Sequence, residues 1–210
     1  REMDDGNEDR WTLSFWVKRG EMVNHTQVLT MGGSNHGIFF SKDSLTDALL
    51  FYNYISGDKG QLLTSRKFRD PAAWMHLVFV WDSGNATAGN RMRIYVNGVE
   101  ETVFATDTNP DQNQDSQFNV DGDTHYIGRE SGGNYFDGYI AEYVFIDGTV
   151  YAASDFGEFD SDSPTIWKPK DPSGLTFGTN GVWLDFEDSS ALGNDVSGNN
   201  NDFTPANLAA

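Results

Sequence analysis

The chain has 210 residues, 38% hydrophobic and 14% aromatic, with 14 basic against 32 acidic residues and a formal charge of −18. A chain this long and this rich in rings builds its own core, which excludes disorder throughout, and a field this negative repels a phosphate backbone, which argues against nucleic acid and anionic membrane as partners. With no cysteine, and no apolar run near the roughly 20 residues that span a bilayer, disulfides, thiol chemistry and membrane insertion by a helix are excluded as well.

Taken in order, the elements read as short strands bounded by Gly, Asn and Asp. Residues 11–18 (WTLSFWVK) alternate, with Leu13, Phe15 and Val17 on one face and Trp16 as an apolar exception on the other. Residues 28–31, 38–40, 49–54 and 61–65 follow as further strands, and 74–81 (WMHLVFVW) is apolar on both faces, as a central strand covered on two sides should be. Residues 92–96 meet 99–104 across Asn97-Gly98, the pair best suited to a type I′ turn, so 91–106 predicts a hairpin. Residues 124–128 and 138–146 (GYIAEYVFI) add two strands, separated from the hairpin by an acidic loop over 107–123. Residues 151–180 hold three of the six prolines and no clear period, and read as an irregular arm over the sandwich; 181–186 predicts a last strand, followed by a polar run. With no helical crossover between strands, the fold class is all-β, an antiparallel two-sheet sandwich of jelly-roll type.

Several pieces in register resemble the laminin-G-like or concanavalin-A-like lectin/glucanase sandwiches: WTLSFWVK, the WMHLVFVWD strand, RIYVNG at 93–98, YIGR at 126–129 and YFDGYIAEYVFID at 135–147. One piece departs from the usual order. An opening-strand signature of that family stands at the C-terminus, as VWLDF at 182–186 and DVSGNNND at 195–202. Either this strand completes the same sandwich, making residues 1–210 one domain, or it begins a second unit; residues 1–10 are too polar to supply the missing strand, which favours the first. The wording of this stretch also resembles repeats in structural proteins of tailed phages, which implies a module on the outside of a virion, with host-surface glycan, other virion proteins or copies of itself as partners. The chain opens at Arg1 and not at a methionine, as a processed product or a piece of something longer would.

A glycan-cutting member needs paired carboxylates. The family's E-x-D-x-x-E pattern is approached only by Glu158-Phe159-Asp160, with Ser163 where the third acid belongs, and no G-x-S-x-G elbow accompanies His25, His36, His76 or His125. The chain therefore reads as non-catalytic; a depolymerase would need Glu142 or Glu158 beside another carboxyl in a groove. His76 shares a face with Val78 and Val80 and reads as structural. For a cation, Asp111, Asn113 and Asp115 carry the D-x-N-x-D alternation, and Asp121 and Asp123 follow closely; hard oxygens at this spacing suit calcium, which the resemblance also implies on such a rim. Asp185, Glu187, Asp188 and Asp195 form a second, weaker acidic group. For glycan, Asn134 and Tyr135 next to Gly132-Gly133 offer a ring and an amide, His125 lies beside the acidic loop, and Tyr52, Asn53 and Tyr54 offer a second set. Acceptor patterns for N-glycosylation occur at Asn24-His25-Thr26 and Asn85-Ala86-Thr87 and matter only in a eukaryotic secretory setting.

Overall fold

A computed structural model describes residues 1–20, 27–32, 36–40, 47–54, 56–130 and 133–208. The Asn24-His25-Thr26 pattern and Gly132 lie outside them.

Two six-stranded antiparallel sheets face each other. The first runs β14 (Val182–Leu184), β11 (Gly138–Asp147), β1 (Arg10–Arg19), β6 (Met75–Asp82), β7 (Met92–Val96) and β8 (Val99–Glu100). The second runs β10 (His125–Ile127), β2 (Gln27–Gly32), β3 (His36–Phe40), β4 (Ala48–Tyr54), β5 (Asp58–Lys67) and β9 (Phe104–Thr108). The side-chain period of two places Leu13, Phe15 and Val17 of β1 opposite Ile38, Phe40, Phe51 and Leu62, and these inward positions form one buried cluster. Rings carry much of that core: Trp11 stacks on Trp81 with centroids 6.4 Å apart and meets Phe51 of the opposite sheet edge-on at 5.6 Å. Each such ring removes a large apolar area from water, so together they offset the entropy of ordering many short strands.

The hairpin differs from its expected extent. Asn97 (φ 49°) and Gly98 (φ 78°) make the turn, both in the left-handed region that a type I′ turn requires. Its return strand, however, is only the two residues of β8, and the chain then crosses to the other sheet as β9, where Leu62 pairs with Asp107.

Residues 151–180 are more regular than an irregular arm. They carry a small antiparallel pair, β12 (Gly157–Phe159) with β13 (Trp167–Pro169), and they lie over the outer face of the first sheet, burying Ala153, Phe156 and Phe177 with Val78, Val144 and Ile146. That cover is why 74–81 is apolar on both faces. Val182 and Leu184 of β14 pair along β11 and join the central core, with Phe186 and Phe203 packed against it. The N-terminal segment is not wholly polar in its role: Met3 is buried in the same core, and Glu2 bridges Thr124.

Candidate functional site

The acidic loop 107–123 is tied down by hydrogen bonds. The Trp11 indole N–H donates to Ser116 Oγ at 2.9 Å, the Gln117 amide donates to Asn53 Oδ1 at 2.8 Å, and Phe118 is in the core. The backbone of the loop also pairs with the N-terminal segment: Ser116 N donates to the Glu8 carbonyl, and Met3 N to that of Asp123. Asn113 sits in a left-handed turn (φ 61°) with its N–H on the Ser83 carbonyl. Asp115 and Asp123 face Glu8, whose carboxyl is pushed up first by burial and then by these acids together with Asp5 and Asp9.

Among the described residues, no three Asp, Glu or His side chains gather closely enough to hold a metal ion. Asp111, Asp115, Asp121 and Asp123 therefore do not gather as a carboxylate cluster, and a calcium ion held at this loop would take most of its oxygens from Asn113 and backbone carbonyls. The second acidic group is dispersed as well. Asp195 is a buried clasp: one oxygen accepts from the Trp183 and Ser197 amides, both at 2.9 Å, and the other from Ser197 Oγ and the Asn201 amide, both at 2.8 Å. Asp185 and Asp188 each cap a turn, through the Glu187 and Ser190 amides.

His125 is corrected from ligand contact to structural residue. It is 3% exposed, edge-on to Phe118 and Phe145, and its Nε2 accepts the Asn119 amide at 3.1 Å; burial pulls its pKa down to about 3. Asn53 likewise turns inward to the loop, leaving Tyr52 and Tyr54 on the outer face of the second sheet with centroids 6.1 Å apart.

Asn134 and Tyr135 do lie on a rim. The chain leaves β10 at Gly128, turns, and returns with an Arg129–Tyr135 bridge before entering β11, so this loop joins one sheet to the other. The Arg129 guanidinium lies 5.1 Å from the Tyr126 ring centroid and 5.8 Å from that of Tyr135. Such placement draws the cation to the ring faces and stiffens both rings. Tyr135 keeps 52% of its surface exposed, and the Asn134 amide is held by the Glu130 carboxylate. Tyr126 and Arg129 were readable only as part of YIGR; an arginine among tyrosines in a glycine-rich turn was the available signal.

Both carboxylates of the catalytic alternative are held by other side chains. Glu158 is half-exposed and pairs with Lys168 at 3.5 Å on the small β12–β13 sheet. Glu142, in a left-handed conformation (φ 49°), accepts the Trp183 indole N–H at 2.8 Å, and its carboxyl is pushed up by burial, then by Asp185, Glu187 and Asp171. The crevice it lines with Ser14 and Trp16 is about 10 Å³, room for about one water and not for a sugar.

No curated protein matches the chain. Among solved structures it is similar to domain 4 of AbnA, a GH43 extracellular arabinanase from Geobacillus stearothermophilus, solved in complex with arabinotriose, at 18% identity over 69% of this chain and 64% of that one, with a TM-score of 0.41. It is also similar to the heptameric SAP-like pentraxin of Limulus polyphemus, at 15% identity over 71% and 69% of the two chains and a TM-score of 0.48. Residues 2–154 match the family model described as the concanavalin A-like lectin/glucanases superfamily, and with nearly three quarters of its length inside that match the chain belongs to this family.

Proposed function

We propose that this chain is a non-catalytic, lectin-like recognition module that binds host-surface glycan through the rim of Tyr126, Arg129, Asn134 and Tyr135 and is carried on the outside of a phage virion. The observation that carries the reading is the Arg129 guanidinium over the Tyr126 and Tyr135 rings, which holds a half-exposed aromatic face at a loop edge where sugar C–H groups can stack. Membership of a lectin and glucanase family agrees with it, and the crevice beside Glu142 has no room for a sugar. The virion setting rests on the C-terminal wording alone. Arm-mediated assembly is the weaker reading, because residues 151–180 are spent on covering their own sheet.

The test is an array of host-surface polysaccharides probed with the intact chain and with Tyr135→Ala. Saturable binding that weakens about tenfold or more in the variant, about 1.4 kcal/mol, is expected. No binding by the intact chain, or equal binding by both, overturns the reading.

A further inference from the structure

Along β1 the outward positions are Thr12, Ser14, Trp16 and Lys18, alternating with the core residues Leu13, Phe15 and Val17. The arm and the turn before it cover the first three. Thr12 Oγ1 donates to the Thr149 carbonyl, His76 Nε2 lies on Ser14 Oγ, and Trp16 lies against that imidazole, on which Trp167 of the arm closes at 3.0 Å. The cover stops there. In the next row Lys18 pairs with Tyr139 of β11, and Trp74 stands one residue before Met75, the partner of Val17, so three side chains line up across β11, β1 and the entry to β6. Tyr139 keeps 62% of its surface exposed and Trp74 43%. Their rings lean toward each other, with centroids 6.3 Å apart at 55°, where two strands with a third between them stand about 9.6 Å apart. The Lys18 ammonium lies 5.6 Å from the Tyr139 centroid, and among the described residues it has neither an ion pair nor a hydrogen bond, in a chain with 32 acidic residues against 14 basic. The Asp137 carboxylate lies beyond the strand end, beside Gly20, and leaves that ammonium unpaired.

Three side chains are too few for a stable protein interface, which takes roughly 20–30 residues a side. They match a small ligand instead. The indole and phenol faces favour C–H groups, and an ammonium with free hydrogens favours an oxygen anion. We infer that this row is a second binding site, for a uronate: one carboxylated pyranose in an otherwise neutral glycan, with its C–H face on Trp74 and Tyr139 and its carboxylate on Lys18. The net charge of −18 opposes a polyanion, so one carboxylate is favoured over many. In contact with Lys18 that carboxylate stands well inside the screening length of about 8 Å at physiological salt, where the nearest charge outweighs the distant ones. The sugar body rests on the glycan reading above; the preference for a carboxylate rests on Lys18 and its two rings.

The methyl glycosides of glucuronate, galacturonate and mannuronate, and of their neutral parents glucose, galactose and mannose, are titrated at constant ionic strength while the Trp74 indole N–H and the Tyr139 ring are followed by NMR. At least one uronate shifts both saturably and binds about fivefold tighter than its neutral parent, the upper end for an exposed ion pair. Lys18→Gln removes that preference, Lys18→Arg keeps it, and Tyr135→Ala leaves it unchanged. If no uronate shifts these resonances, or none binds better than its parent, the row is overturned as a uronate site while array binding through the rim still stands. If the preference survives Lys18→Gln, or the shifts vanish in Tyr135→Ala, the carboxylate or the sugar sits elsewhere and the row is equally overturned.

Discussion

The indole N–H of Trp167, on the arm, donates to Nδ1 of His76, in the sheet beneath it, at 3.0 Å. An indole nitrogen only donates, so Nδ1 is the acceptor and the proton of the neutral imidazole sits on Nε2, facing Ser14 Oγ at 2.8 Å. His76 therefore has no lone pair to offer Ser14, and the pair is a strut and not a catalytic dyad. The rings of Trp16 and Trp167 both lie near-parallel to the imidazole, 26° from its plane with centroids at 5.0 and 6.0 Å, and the bond from Trp167 clamps the arm to the sheet.

That arrangement predicts the tautomer. Nitrogen NMR should show His76 protonated at Nε2 near neutral pH, and a free Nε2 would contradict the strut. Trp167→Phe, which leaves Nδ1 buried without a donor, should cost about 1–3 kcal/mol in a denaturant melt.

Acid should destabilise the fold through three buried histidines. Burial lowers the pKa of His36 and of His76 to about 4 and that of His125 to about 3. The unfolded chain takes up these protons near pH 6.5, before the folded chain does, so stability is fully present above that pH and is lost as pH falls through about 4. Glu8 and Glu142, raised by burial, act in the opposite sense above the ordinary carboxylate value. Urea unfolding from pH 7 to 4 should lose several kcal/mol; a flat profile contradicts the burial of these rings.

Asp147 is the hub between loop, terminus and arm. One of its oxygens accepts the Asn7 amide at 2.8 Å and the Asn119 side chain at 2.6 Å, and the other accepts the Asn180 amide at 3.1 Å. Asp147→Ala strands three donors, so a loss of about 3 kcal/mol or more is expected, a fall in melting temperature of roughly 6–12 °C at this size. A fall of only a degree or two would show that the network carries little.

Asp195→Ala should release the C-terminal clasp before the rest of the fold. Faster amide exchange at Trp183 and Asn201, with the β1 and β6 amides still protected, is the expected result. Uniform loss of protection would mean that β14 and the sandwich unfold as one unit.

Calcium should leave the melt unchanged. Because the loop carboxylates do not gather in threes, midpoints in millimolar calcium and in chelator are expected to coincide. A rise of several degrees that disappears in Asp115→Ala would restore the loop as an ion site.

The period of two along 11–18, 74–81 and 138–146, with Asn97-Gly98 between its flanking strands, was enough to determine an all-β sandwich, because which face of a strand turns inward is written in neighbouring residues. The same reasoning kept His76 out of catalysis, and the neighbouring glycines placed Tyr135 on a loop. What covers what was decided only by the tertiary structure. The donors that hold Asp147 come from Asn7, 140 residues away, and from Asn119 and Asn180, 28 and 33 residues away, and no local pattern encodes such pairings. His125 looked available because its sequence neighbours are acidic and polar, yet Phe118 and Phe145 enclose it; the loop acids are close in sequence, yet no three of them gather in space, and hydrogen bonds from β1 and β4 hold the loop between them at Ser116 and Gln117. Spacing along a chain sets which ligands can meet, and only the packing of distant segments sets which of them do.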